Sequence, residues 1–90
     1  MGDGINKPET PLSVVPPNHR VRIINYVGGR MLRSRLASLG LSLGQEVSII
    51  QNNRGQIIVG VNGGRVALGR GVSQKIMVIP VEEQQSPKTL

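Results

Sequence analysis

The chain has 90 residues, 38% of them hydrophobic and drawn almost wholly from Val, Ile and Leu, enough for one small domain with a modest core. Tyr26 is its single aromatic residue, which excludes aromatic cages for methylated lysine, ring-lined proline-peptide grooves and single-strand binding by base stacking. The formal charge is +6, but between Pro11 and Ile79 nine bases face one acid, Glu46, a formal +8; such a field suits nucleic acid, lipid headgroups or an acidic protein face, the bland alternative being solvated surface arginines.

No cysteine is present, so neither a disulfide framework nor a thiolate metal site is available. The N-terminus carries no basic and apolar signal regions and no myristoylation pattern, and no apolar run is long enough to span a bilayer. Any membrane role is therefore expected through a partner or through surface attraction.

Residues 1–10 and 81–90 read as polar, Pro-containing flexible tails. Between them, short strand patterns alternate with turn signals. Pro11–Val15 is a candidate first strand, followed by a Pro16-Pro17-Asn18 turn. Arg20–Val27 alternates, with Val21 and Ile23 inward. A helix follows Gly28-Gly29: Leu32, Leu36 and Leu39 recur at i, i+4 and i+7 and define its buried face. Gly40 supplies a left-handed stop, with Leu41 folding back onto Leu36. Strands then follow at 46–50, 56–61 and 65–68, joined by turns at Asn52–Gly55 and Asn62–Gly64, and after one helical turn near Gly71 a last strand runs to Ile79. The pattern predicts an all-β fold, an SH3-like five-stranded partly open barrel with one short helix between strands 2 and 3; an OB-fold is the competitor, with its helix later in the order.

Catalytic groups are scarce. His19 is the only histidine and Glu46 the only acid in the folded part, so neither a carboxylate pair nor a nucleophile–base–acid set can form, and no enzyme is expected. His19, Glu46 and Met31 or Met77 offer at most a weak divalent-metal site, and no cofactor is expected. Gly69-Arg70-Gly71 lacks the further glycine and lysine of a phosphate loop. The remaining constellation is the arginines. Arg30 and Arg33 share a helical face, Arg35 points elsewhere, and Arg65 and Arg70 lie toward the end of the sheet; brought together, they would form an anion-facing patch.

From Pro11 to Pro80, about three quarters of the chain, the sequence resembles the FeoA family. The resemblance rests on Pro11-Leu12-Ser13, Gly29-Arg30 with Leu32, Arg35-Leu36, Leu39-Gly40-Leu41, Gly44, Val47, Gly64-Arg65, Ala67-Leu68-Gly69 and Ile76 before Val78. It implies a single SH3-like barrel without catalysis, a cytoplasmic accessory of bacterial ferrous iron uptake that contacts the GTP-binding or membrane-proximal part of the FeoB transporter. The chain would reach the inner face of the membrane through that partner, with Arg30, Arg33, Arg35, Arg65 and Arg70 as candidate contacts. The family is often described as metal-binding, while this chain offers few ligands. The hairpin at Asn52–Gln56 lacks a proline common in relatives, and Gly71–Ser73 lacks their acidic and alanine residues. Related domains also end iron- and manganese-responsive repressors; with no DNA-binding domain ahead of this one, a regulator is not expected. The alternatives are a nucleic-acid-binding barrel, disfavoured by the missing aromatics, or a regulatory module for another partner.

Overall fold

The computed structural model describes residues 9–81; the sequence-predicted tails fall almost entirely outside that range. Six antiparallel strands form one sheet in the order β1-β6-β2-β3-β4-β5. They are β1 (Thr10–Pro11), β2 (Arg20–Tyr26), β3 (Glu46–Asn53), β4 (Gln56–Val61), β5 (Gly64–Leu68) and β6 (Ile76–Pro80). A helix, α1 (Arg30–Ser38), lies between β2 and β3, and a single turn, α2 (Arg70–Ser73), precedes β6. This is the small all-β architecture read from the sequence, with five longer strands and the helix in its expected place.

One segment differs. Pro11–Val15 is not a strand: only Thr10–Pro11 pairs, against Val78 and Met77, and Leu12–Val14 winds into a 3₁₀ turn. Counted with that two-residue strand, the sheet has six strands where the sequence reading summed to five. The turn brings Leu12 into the core, where it is fully buried, while Val14 is left exposed.

Alternation makes the core. Val21 and Ile23, Val47 and Ile49, Ile57, Val59 and Val61, and Ile76 and Val78 all point inward and are buried, each strand presenting one face as a period of two requires. Two bulges bend the sheet: the register slips between Ile23 and Asn25 on β2 and between Ile49 and Gln51 on β3, and the extra residue in each increases local twist. Both hairpin turns, Arg54-Gly55 and Asn62-Gly63, place two consecutive residues at positive φ, the turn geometry that matches strand twist.

No ladder among the described residues joins β1 to β5. Side chains instead tie the 3₁₀ segment and α2 to the β3–β4 hairpin. Asn52 donates from Nδ2 to the carbonyls of Ser13 (3.0 Å) and Val15 (2.8 Å) and accepts from the Gly55 amide (2.9 Å). Ser73, fully buried, donates its hydroxyl proton to the Gly55 carbonyl at 2.6 Å, with the Arg70 carbonyl a second acceptor at 3.2 Å.

Candidate partner-binding surface

α1 is placed by its two ends. At the start, Leu32 folds over Gly28, where a Cβ would come within 2.6 Å of Leu32 Cδ2. At the finish, Gly40 takes φ +86°, its amide donates to the Ala37 carbonyl (3.0 Å) and the Leu41 amide to the Leu36 carbonyl (2.9 Å), the paired bonds of a Schellman close. Tyr26 at the end of β2 donates its hydroxyl proton to the Leu41 carbonyl, tying the segment after the helix to the sheet.

The predicted leucine stripe is corrected at one position. Leu36 is buried and Leu32 half-buried, but Leu39 is 40% exposed. Leu39 caps the helix with non-helical backbone, and the reversal at Gly40 sends Leu41, fully buried, into the core place that the heptad spacing gave to Leu39.

With Leu36 anchoring one side, the helical period turns Arg30, Met31, Ser34 and Ser38 outward and sets Arg33 and Arg35 on the two flanks. All six are exposed, Met31 to 86%. A shallow groove lined by Met31, Leu32, Ser34, Arg35 and Ser38 runs along the helix. Burial raises the Tyr26 phenol above its ordinary value, and the nearby Arg33 guanidinium pulls it partly back.

The other two candidate arginines stand elsewhere. Arg65 pairs in register with Gly60, beside the Asn62-Gly63 turn. Arg70 lies beyond the other end of β5, its Nε donating to the Arg54 carbonyl at 2.7 Å. So α1 sets Arg30 and Arg33 near one another with Arg35 on the opposite flank, and the length of β5 separates Arg65 from Arg70. Lys75 was not among the candidates. The Val27 amide donates to the Lys75 carbonyl at 2.7 Å, which sets this exposed lysine beside the entrance to α1; that pairing joins residues far apart in sequence and has no local signal.

The possible metal ligands do not converge. His19 Nδ1 lies 3.1 Å from the Pro17 carbonyl, and Glu46 accepts from Arg22 at 2.8 Å. Among the described residues no three His, Cys, Asp or Glu side chains gather. An apolar cleft of about 270 Å³ lies between the 3₁₀ turn and β2, lined chiefly by Val14, Val15, Pro16, Val21 and Pro80. No helix among the described residues is long and apolar enough to cross a membrane.

The FeoA domain model matches residues 10–80, from the first strand to the end of the last. The chain belongs to the FeoA family. It is 32% identical over 72 residues to the Fe(2+) transport protein A assigned in Methanocaldococcus jannaschii, covering 80% of this chain and 88% of that protein. A crystal structure of an iron uptake regulatory protein, FeoA, superposes with a TM-score of 0.77 at 32% identity, covering 82% of this chain and all of the other. A manganese-dependent transcriptional repressor shares the fold, with a TM-score of 0.76 at 20% identity, over 84% of this chain and 44% of the repressor.

Proposed function

We propose that this FeoA-family chain is an accessory protein of ferrous iron uptake, acting as a non-catalytic interaction module on the cytosolic part of the FeoB transporter. The observation that carries the reading is the FeoA match, which spans the whole barrel from residue 10 to 80. The surface chemistry is consistent with it. The exposed groups are arginines on a short helix, suited to charge-assisted hydrogen bonds with carboxylates or phosphates. His19 and Glu46, the two side chains best suited to proton transfer, are each engaged with another group, His19 with the Pro17 carbonyl and Glu46 with Arg22.

The test is a titration of the full chain against the FeoB cytosolic domain, with and without guanine nucleotide. Saturable binding that weakens on Arg30→Glu with Arg33→Glu is expected. Absence of binding in every nucleotide state, together with normal iron uptake in a deletion strain, would falsify the reading.

A further inference from the structure

The start of α1 combines two features, of which the transporter reading uses only the first. The first is charge. Arg30 and Arg33 near the helix start and Lys75 beside Val27 gather around the entrance of the helix, with Arg35 in its last turn, and neither acid among the described residues lies there: Glu46 is paired with Arg22, and Glu9 precedes β1. The second is exposed apolar surface in the middle of that charge. Met31 is 86% exposed and Val27, beside the glycine pair, 57%.

From this juxtaposition we propose that the amino-terminal face of α1 docks directly on an anionic phospholipid bilayer, with Val27 and Met31 entering the headgroup boundary and the guanidinium groups and Lys75 meeting lipid phosphates. A bilayer interface satisfies both kinds of side chain at once, since apolar groups enter the acyl boundary while basic ones stay at the phosphates. Arginine forks suit phosphate oxygens. Nucleic acid answers the charge but gives a protruding methionine and valine nothing to enter, and the single ring nearby, Tyr26, is half-buried with its hydroxyl held by the Leu41 carbonyl. An acidic protein face would need a pocket shaped for Met31. The proposal does not rest on FeoB: it places the chain itself at the membrane.

The experiment is co-sedimentation of the full chain with phosphatidylcholine vesicles, with or without about one third phosphatidylglycerol, at roughly 0.1 M salt, where charges within about 10 Å still interact. Binding to the anionic vesicles alone is expected. Arg30→Glu with Arg33→Glu should lower partitioning by about tenfold or more. Met31→Ser, which leaves the charge unchanged, should lower it by roughly threefold or more. Arg65→Glu, on β5 rather than on the helix, should lower it clearly less than the helix pair does, as expected for a residue outside the contact. Thermal melts confirm that each variant is folded. Several outcomes overturn the proposal: no sedimentation, equal binding to neutral vesicles, or an Arg65→Glu loss as large as that of the helix pair. Competition by soluble glycerol phosphate at the vesicles' own lipid concentration would reassign the site to single phosphate groups. Tighter binding to duplex DNA, insensitive to Met31→Ser, would reassign it to nucleic acid. Because the vesicles contain no transporter, these results are independent of whether the chain binds FeoB.

Discussion

Asn52 ties the 3₁₀ segment to the β3–β4 hairpin with one side chain. Its amide holds two carbonyls of the 3₁₀-turn segment, Ser13 and Val15, and its oxygen holds the Gly55 turn. Asn52→Ala should therefore destabilise by about 1–3 kcal/mol, because the partners are left partly buried without a donor or acceptor; urea unfolding measures it, and a change below about half a kcal/mol would deny the clasp. In the sequence Asn52 reads as a turn residue, and its role at 37 and 39 residues' distance could not be read there. Ser73 is a similar case: nothing local marks it as the buried polar residue among the described residues. Tyr26 supplies a pH dependence. Its folded-state phenol titrates above the ordinary 10.0, chiefly through burial, so the folded state keeps a proton that the unfolded state loses. Its contribution is complete below pH 10.0 and is lost as pH rises through the raised value. Tyr26→Phe should remove that part of the alkaline destabilisation. Arg33→Ala, which deletes the opposing charge, should move the phenolate absorbance midpoint still higher, and a downward move would contradict the geometry.

The helix shows how far periodicity carries. Its position, its leucine face and its glycine stop follow from the spacing of Leu32, Leu36 and Gly40, because helical side chains repeat every 3.6 residues. The return of Leu41 onto Leu36 follows from the Gly40 stop, but the exposure of Leu39 does not, since a heptad count assumes that the helix continues through it. Leu36→Ala should cost about 2–5 kcal/mol, the range for a buried leucine, while Leu39→Ala should stay within about 1 kcal/mol as a largely exposed position; thermal or urea denaturation giving the reverse order would restore the periodic assignment. The strands contain three isoleucine pairs, 23–24, 49–50 and 57–58, each with its first member buried. Two carry bulges and the third keeps regular register. Composition cannot separate them, because a bulge is set by how far the sheet must bend there. At the β3–β4 turn, Gly55 takes φ +93°, and a Cβ would come within 2.9 Å of Arg70 Cγ. Gly55→Ala should thus cost more than the roughly 1 kcal/mol of left-handed backbone alone, and Arg70→Ala should recover part of the excess in a double-mutant cycle.

Across the whole molecule the fold class was legible and the arrangement of the arginines was not. Strand order follows from short hairpins and inward alternation, whereas which bases become neighbours depends on how a bent sheet and its helix meet. That is why Arg30 and Arg33 join Lys75 near the helix start while Arg35 takes the other flank and Arg65 and Arg70 lie on other elements. The same imbalance bears on stability. Residues 9–81 carry nine bases against the two acids Glu9 and Glu46, so folding concentrates like charge in a small volume and self-repulsion opposes it. Sodium chloride screens that repulsion, shortening the Debye length from about 30 Å at 0.01 M to about 8 Å at 0.15 M. It also weakens the Arg22–Glu46 pair, but both partners are substantially exposed, at 44% and 39%, and such pairs contribute at most about 1 kcal/mol. Repulsion among the remaining bases should dominate, and the melting temperature should rise by a few degrees over that salt range, on the scale of about 4–8 °C per kcal/mol for a domain of this size. Chloride is the appropriate salt, since sulfate would also strengthen apolar burial. A melting temperature that falls would mean that Arg22–Glu46 outweighs the repulsion, and Glu46→Gln, which removes the pair, should then abolish the fall. If the fall persisted in Glu46→Gln, charge repulsion would not be a significant cost of this fold, and the arginines would be spaced widely enough to be indifferent to one another.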